Sequence, residues 1–231
     1  MKTQVFSLFL TTIYTCDIMK FDSTLYFITD STGLFEETFL SKVESALKGG
    51  VTLLQLREKE RSTREYIHLA KKVHGISDEY GVPLIIDDRV DVTMVSGAEG
   101  VHLGQSDMPV SDARRILGDQ YIIGATTKTV EQATEAYSQG ADYLGVGAIY
   151  PTTTKVKTVL TSVETLDAIC RSVTIPVNAI GGLNKDNCHV LQNIPISGIC
   201  VVSAIMKAED PGKEAGILLD VSKQLLSSRK M

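Results

Sequence analysis

D-Y-L-G-V-G-A-I-Y-P-T-T-T-K, residues 142–155, joins a predicted strand to an unusual polar loop. Residues 143–149 are rich in strand-forming side chains, with glycines where a neighbouring chain can approach closely. The strand must end near Pro151, which has no backbone N–H to donate. Three hydroxyls and an ammonium group follow directly, on Thr152, Thr153, Thr154 and Lys155. At the C-terminal end of a strand such a run suits a phosphate group, although a polar surface loop is the alternative.

Outward from this stretch, the chain alternates between predicted strands and predicted helices. The strands are residues 25–29, 52–56, 84–86, 100–103, 121–125, 143–149, 176–180 and 198–202. The helices are residues 35–47, 63–80, 90–95, 109–117, 130–138, 163–170, 185–192 and a last one within 212–226. Eight alternating units predict a parallel sheet, and in 231 residues they predict a single (β/α)8 TIM barrel. An open doubly wound sheet is the alternative, but no G-x-G-x-x-G follows a strand.

The composition is that of an ordinary water-soluble protein, with 43% apolar and 22% charged residues. With a net charge of −5 and no basic stripe, nucleic-acid binding is not expected. No apolar run is long enough to cross a bilayer, and the cysteines lack metal-ligand spacing, which favours free thiols in the cytoplasm. Residues 1–20 lack the cleavage site of a signal peptide. They are predicted to be a loose extension or a mis-assigned start before a barrel domain of residues 21–231.

The second strand ends in Q-L-R-E-K, at the carboxyl edge where barrels carry their active sites. Alternation along a strand places Gln55, Arg57 and Lys59 on one face. Two cations inside a barrel mouth are unfavourable unless an anion neutralises them, so this pattern predicts an anionic ligand. A surface turn in which Glu58 and Glu60 neutralise Lys59 is the alternative.

Carboxylates follow the next two strands, and they predict a magnesium site. Asp87 and Asp88 come directly after strand three, and Asp107 follows strand four. Carboxylates at adjacent strand ends can share one Mg²⁺ with a substrate phosphate. Helix capping is the alternative for Asp88 and for Asp107. His102, within strand four, is predicted to be a structural histidine with its hydrogen bonds satisfied.

Small and hydroxylated residues follow the remaining strands. Thr126 comes after strand five, Gly181-Gly182 after strand seven, and Val202-Ser203 after strand eight. Loops seven and eight hold phosphate in many barrels, on backbone N–H groups that small residues expose. The mouth therefore has a cationic zone with metal-binding carboxylates and a second zone of small residues. Two such zones suggest two phosphorylated substrates, one of them a diphosphate that leaves with Mg²⁺ while its organic part is transferred.

The sequence resembles the thiamine-phosphate synthase family in seven motifs that occur in order. They are Q-L-R-E-K at 55–59, D-D-R at 87–89, G-V-H-L-G-Q-S-D at 100–107, G-A-T at 124–126, G-A-D-Y-L-G-V-G-A-I-Y-P-T-T-T-K at 140–155, A-I-G-G at 179–182 and V-V-S-A-I at 201–205. The resemblance implies a (β/α)8 enzyme that joins hydroxymethylpyrimidine diphosphate to a carboxylated thiazole phosphate and releases diphosphate and CO2. The implied mechanism is dissociative, with capture of a pyrimidine cation by the thiazole nitrogen.

The resemblance also implies roles for individual residues of this chain. Arg57, Lys59 and Lys155 would be catalytic, and Asp88 and Asp107 would hold Mg²⁺. The residues implied around the pyrimidine diphosphate are Gln55, Leu56, Arg57, Glu58, Lys59, Asp87, Thr126 and Lys155. The residues implied around the thiazole phosphate are Thr152, Thr153, Thr154, Gly182, Val202 and Ser203.

Four features depart from the family pattern. Asp87 stands where Asn is usual, Thr126 replaces Ser, Ala148 replaces Pro, and the Asp that commonly follows the lysine pair is absent from residues 155–158. An ionised Asp87 cannot donate a hydrogen bond to a diphosphate. A thiazole tautomerase of the same barrel family and a non-catalytic barrel that binds a phosphorylated ligand are the alternatives. The expected partners are small phosphorylated molecules, and a homo-oligomer stays open.

Overall fold

Eight short parallel strands pair in chain order and close on themselves, the last bonding to the first. The computed structural model describes residues 21–151 and 159–228. The strands are β1 Leu25–Ile28, β2 Leu53–Leu56, β3 Leu84–Asp87, β4 Gly100–Leu103, β5 Ile122–Thr127, β6 Tyr143–Gly147, β7 Val177–Ile180 and β8 Gly198–Val201. This closed sheet confirms the predicted (β/α)8 barrel and excludes the open doubly wound alternative.

Helices cover the outer surface of the sheet. They are α1 Glu36–Lys48, α2 Thr63–Glu79, α3 Val90–Ser96, α4 Val110–Leu117, α5 Val130–Ser138, α6 Val163–Ser172, α7 Ser203–Met206 and α8 Pro211–Ser227. Each of the longer helices buries one stripe of apolar residues, as Phe39, Val43 and Leu47 do in α1. Helix α2 begins at a capping box in which Ser62 and Glu65 satisfy each other's backbone N–H groups. No helix in the described part of the chain is long and apolar enough to cross a membrane.

The helix predicted at residues 185–192 is wrong. Only Cys188–Leu191 is helical there, as a single 3₁₀ turn. The side chain of Asn184 accepts from the N–H groups of Asp186 and Asn187 (2.9 and 3.2 Å), and Asn187 Oδ1 accepts from Asn184 N–H at 2.9 Å. These local side-chain bonds compete with a helical turn, which explains the irregular segment. The short helix α7, directly after β8, was not predicted.

Two apolar layers stabilise the barrel. One lies between the sheet and the helices, and the other lies inside the barrel that the strands enclose. Leu54 and Leu56 of β2 point outward into the first layer, whereas Leu53 and Gln55 point inward. The inner layer consists of Tyr26, Ile28, Leu53, Ile85, Ile122, Tyr143 and Cys200. Its largest members are two tyrosines, so the interior is a packed core that contains hydroxyl groups.

The inner tyrosine of β6 fits because its neighbour on β5 is a glycine. A Cβ atom on Gly124 would lie 2.1 Å from Cζ of Tyr143. Real Cβ contacts are never this short, so any larger residue at this position would displace the ring. Gly124 therefore allows Tyr143 to cross the barrel interior toward the mouth.

Candidate active site

The predicted face of β2 is confirmed at the mouth of the barrel. Arg57 and Lys59 both reach the carboxylate of Asp87, with Nε at 3.8 Å and Nζ at 2.6 Å from Asp87 Oδ2. The backbone N–H of Arg57 donates to Oγ1 of Thr29 at 3.2 Å, which ties the end of β2 to β1. Two cations thus meet one buried carboxylate where strands two and three end.

Lys59 is not neutralised by glutamates, so the alternative of a surface turn is wrong. Its ammonium group contacts Asp88 as well as Asp87. Glu58 instead accepts from Ser31 Oγ at 2.8 Å and from Arg61 Nε at 2.9 Å. The side chain of Glu58 therefore braces the loops after β1 and β2, and does not join the cation pair.

Asp87 carries an unusual protonation equilibrium. Burial, and next the repulsion from Asp88, raise the pKa of Asp87 to about 6, against the lowering effect of Lys59 and Arg57. Lys59 Nζ lies 2.6 Å from Asp87 Oδ2, but its angles are poor for a hydrogen bond, and Oδ2 has no other donor among the described residues. The contact is therefore an ion pair. At neutral pH Asp87 is therefore mostly ionised, and it pairs with Lys59 and Arg57 as a bound anion would.

Asp88 and Asp107 do not cap helices, so the capping alternative is wrong for both. The residues preceding α3 and α4 are Arg89 and Pro109, and neither helix has a side-chain cap. Asp88 adopts a left-handed backbone with φ of 63°, and its N–H donates to His102 O at 2.8 Å. Such a conformation is strained for a residue other than glycine and is typical of functional sites.

The two carboxylates proposed for the metal lie beside each other. Asp107 Oδ2 accepts from the N–H of Gly104 at 2.7 Å. Burial, and next the adjoining Asp88 carboxylate, raise the pKa of Asp107. Two neighbouring carboxylates that repel each other suit Mg²⁺, which takes one or two protein carboxylates and completes its shell with water and phosphate oxygens. Among the described residues there is no group of three or more metal-binding side chains.

The side chains of Gln55 and Leu56, neighbours in β2, point to opposite faces of the sheet. Gln55 points into the barrel, where its Nε2 donates to Tyr26 OH at 2.6 Å. Leu56 points outward into the layer beneath the helices and is fully buried. The side chain of Leu56 therefore cannot reach a ligand in the mouth, whereas Gln55 forms part of its floor.

Thr126 lies on the rim at the end of β5 and is half-buried. Its Oγ1 is 2.8 Å from His102 Nε2, and its backbone oxygen accepts from Gln105 Nε2 at 2.7 Å. Gln105, in the loop after β4, is a rim residue whose role the sequence did not reveal.

The prediction for His102 is confirmed, because both ring nitrogens have hydrogen-bond partners. Nδ1 lies 3.1 Å from Tyr143 OH, and Tyr143 OH lies 2.6 Å from Tyr26 OH. Burial lowers the pKa of His102 to about 4, so the ring is neutral at physiological pH. A hydrogen-bonded chain thus runs under the mouth from Gln55 through both tyrosines and His102 to Thr126. Sequence reasoning missed both tyrosines, which look like ordinary strand residues.

The small-residue zone forms where β6, β7 and β8 end. The backbones of Ile149 and Tyr150 donate to Ile180 O and Gly181 O, each at 3.0 Å, which extends the pairing beyond β6. A Cβ on Gly182 (φ 66°) would lie 2.7 Å from Cβ of Tyr150 and 2.9 Å from Pro151 O. Only glycine therefore lets these loops approach so closely. Asn187, which the sequence did not reveal, fixes this turn through a 2.8 Å bond from its Nδ2 to Gly182 O.

Val202 and Ser203, from the same predicted zone, are half-buried at the end of β8, where Ser203 opens α7. The predicted ligand residues Thr152, Thr153, Thr154 and Lys155 lie outside the described residues. The described chain on either side of them meets at the mouth, since Thr161 N–H donates to Ala148 O at 2.8 Å.

Comparison with known proteins agrees with this geometry. A family model described as thiamine monophosphate synthase matches residues 25–205. "Thiamine-phosphate synthase 2" of Streptococcus pneumoniae serotype 4 is 51% identical over 80% of this chain and 89% of its own length. "Thiamine-phosphate synthase" of Ruminiclostridium cellulolyticum is 47% identical over 87% of this chain and 96% of its own length. The solved structure of a thiamine phosphate pyrophosphorylase from Pyrococcus furiosus has a TM-score of 0.80 at 40% identity, covering 88% of this chain and 96% of that one. The chain therefore belongs to the thiamine-phosphate synthase family.

Proposed function

We propose that the protein joins hydroxymethylpyrimidine diphosphate to a carboxylated thiazole phosphate, forming thiamine phosphate and releasing diphosphate and CO2. The observation that carries this proposal is the meeting of Arg57, Lys59 and the Asp88–Asp107 pair at one end of the barrel. Cations beside metal-binding carboxylates form a site for a diphosphate with Mg²⁺. A thiazole tautomerase or a simple phosphate binder would not need that combination.

The residues of this chain act mainly on the leaving group. Negative charge grows on the diphosphate as its bond to the pyrimidine methylene breaks, and Arg57, Lys59 and Lys155 are proposed to stabilise it. Mg²⁺, held by Asp88 and Asp107, would neutralise part of the same charge. Lys59 must first exchange its contacts with Asp87 and Asp88 for the diphosphate. The role proposed for Asp87 is thus indirect, as the anion that this substrate displaces.

A protein nucleophile is not required, because the pyrimidine cation is captured by the thiazole nitrogen. The thiol in the inner layer, Cys200, is 1% exposed, and burial raises its pKa well above the usual value. A buried neutral thiol is a poor nucleophile. This environment is compatible with a dissociative reaction in which the chain positions two substrates and supplies charge.

The thiazole phosphate is proposed to bind across the loops after β6, β7 and β8. Gly182 allows close backbone approach there, and Val202 and Ser203 follow the next strand. Loops seven and eight are the usual phosphate-binding loops of such barrels. Thr152, Thr153 and Thr154 are proposed to add hydroxyl donors. The cytoplasmic location, the extension of residues 1–20 and a homo-oligomer stay predictions.

The decisive experiment measures diphosphate release by the purified protein. Both substrates are supplied together, each is then omitted in turn, and each mixture is assayed with and without Mg²⁺. Release that requires both substrates and the metal supports the proposal. Binding of the thiazole phosphate without any diphosphate release would contradict it and favour a tautomerase or a non-catalytic binder.

A further inference from the structure

We infer that Tyr26, Tyr143 and His102 are positioning residues that turn the Thr126 hydroxyl into a hydrogen-bond donor toward the pyrimidine ring. The inference rests on the proposed function, which brings a pyrimidine to this side of the mouth. It concerns the direction of the buried hydrogen-bond chain, since direction decides whether Thr126 offers the substrate a hydrogen or a lone pair.

The direction follows from counting donors and acceptors. The amide Nε2 of Gln55 can only donate, so Tyr26 oxygen is an acceptor in that 2.6 Å contact. Among the described residues, Tyr143 is the other hydrogen-bond partner of the Tyr26 hydroxyl, so Tyr26 donates its hydrogen there, at 2.6 Å. Tyr143 then holds an acceptor role toward Tyr26 and has its own hydrogen left for His102 Nδ1, at 3.1 Å.

The second half of the chain is fixed by the first. Because Nδ1 of His102 accepts from Tyr143, the hydrogen of the neutral ring resides on Nε2. That nitrogen therefore donates to Thr126 Oγ1 at 2.8 Å. The hydroxyl hydrogen of Thr126 meets no acceptor in residues 21–151 and 159–228, so it is free to point into the mouth. With Nε2 of Gln55 facing Tyr26, as it does in the structure, the opposite direction would leave the Tyr26 hydrogen without an acceptor.

Packing keeps this hydrogen-bonded chain rigid. Both tyrosines are 0% exposed and His102 is 8% exposed, so water cannot substitute for a missing partner easily. The rings of Tyr26 and Tyr143 meet edge to face, with centroids 5.6 Å apart. Gly145 leaves space for His102, because a Cβ there would lie 3.2 Å from His102 Cε1. The rotamers that carry the chain are thus held by packing as well as by hydrogen bonds.

A fixed donor has a consequence for substrate choice. Ring nitrogens of a pyrimidine accept hydrogen bonds, and a site built to donate to one rejects an analogue that lacks it. The phosphate of the thiazole substrate is proposed to bind across the loops after β6, β7 and β8, and in this proposal it does not contact Thr126 at the end of the neighbouring strand β5. Loss of the hydrogen-bonded chain should therefore weaken binding of the pyrimidine diphosphate and leave binding of the thiazole phosphate unchanged. A general loss of barrel stability would affect both substrates.

The first test needs no substrate. His102 is one of four histidines, and its signal is identified by its absence in a His102→Gln sample. With histidine labelled by the heavy nitrogen isotope, NMR reports which ring nitrogen carries the hydrogen. We expect Nε2–H in the wild-type protein at neutral pH and in Tyr26→Phe, where Tyr143 can still donate. In Tyr143→Phe we expect a mixture of both tautomers. An Nδ1–H wild-type ring would overturn the inference.

The second test measures both KM values. Tyr143→Phe is expected to raise KM for the pyrimidine diphosphate about tenfold, the scale of one misdirected buried hydrogen bond, with KM for the thiazole phosphate unchanged. Ser222→Ala is the matched control, because it also deletes a fully buried hydroxyl, bonded to Thr24 O at 2.6 Å beyond the other end of the barrel. Equal changes in both KM values, or none, would overturn the inference. An inactive wild-type protein would instead contradict the proposed function, and the tautomer measurement would still decide this point.

Discussion

Lys59 Nζ lies 2.6 Å from Asp87 Oδ2, so the lysine proposed to bind diphosphate is already paired with an anion of the protein. Arg57 approaches the same oxygen at 3.8 Å. The described part of the cationic zone thus contains two cations and the three carboxylates Asp87, Asp88 and Asp107. A diphosphate has to compete with Asp87 for both cations, and this competition is specific to a chain with Asp at this position.

Replacing Asp87 with Asn is expected to strengthen binding of inorganic diphosphate to the metal-free protein. The change removes one negative charge that lies against Lys59, and an ion contact of this kind corresponds to about tenfold or more in affinity. Titration calorimetry in the presence of a chelator measures it. Asp112→Asn is the control, because Asp112 pairs with Arg115 on the exposed side of α4. Unchanged or weaker binding in Asp87→Asn would show that Asp87 has a direct role in the site.

Replacing Arg57 with Ala is expected to slow diphosphate release by at least about a hundredfold, the usual scale for losing one transition-state charge partner. The matched control is Arg115→Ala, which removes a guanidinium from a surface pair far from the mouth. Single-turnover kinetics separate this chemical effect from substrate binding. A near-normal rate would contradict the role proposed for Arg57. The same test applies to Lys155→Ala, with Lys157→Ala as its neighbouring control.

Asp107→Asn should weaken Mg²⁺ binding at least about tenfold, because loss of even an outer partner of a metal ligand has an effect of that size. The amide oxygen of Asn can still accept the N–H of Gly104, which keeps the loop in place. Calorimetric titration of Mg²⁺ in the presence of inorganic diphosphate gives the affinity without turnover. The metal assignment fails if the affinity is the same as in the wild-type protein.

His102 should make the metal-free protein less stable in mild acid. Burial lowers its pKa from 6.5 to about 4, so the unfolded chain binds a proton there before the folded protein does. The stability from this residue is present above pH 6.5 and is lost as the pH falls to 4 and below, about 3 kcal/mol in all. Urea unfolding of His102→Gln should show a flatter pH dependence between these limits. His68→Gln, on the exposed face of α2, should keep the wild-type slope.

The sequence was sufficient for the barrel and for the face of β2, because both depend on local periodicity. Alternation alone placed Arg57 on the same side as Gln55. The direction of Glu58 could not be predicted, since it depends on Ser31, which is 27 positions away. The Tyr26–Tyr143 contact spans 117 positions and arises only when the sheet closes. Side-chain partners that the fold brings together from distant strands leave no local pattern in the sequence.

Replacing Gly182 with Ala is expected to destabilise the loops of the thiazole-phosphate zone by more than its left-handed backbone alone would cost. Gly182 and Gly81 have nearly equal φ angles of 66° and 63°, but a Cβ on Gly81 meets nothing within 4 Å, whereas on Gly182 it would lie 2.7 Å from Cβ of Tyr150. Gly81→Ala therefore isolates the left-handed strain, about 1 kcal/mol. Urea unfolding should show a larger loss for Gly182→Ala, accompanied by a raised KM for the thiazole phosphate alone. Equal losses and an unchanged KM would mean that the loops after β6 and β7 separate freely, and the close approach at Gly182 would have no part in binding.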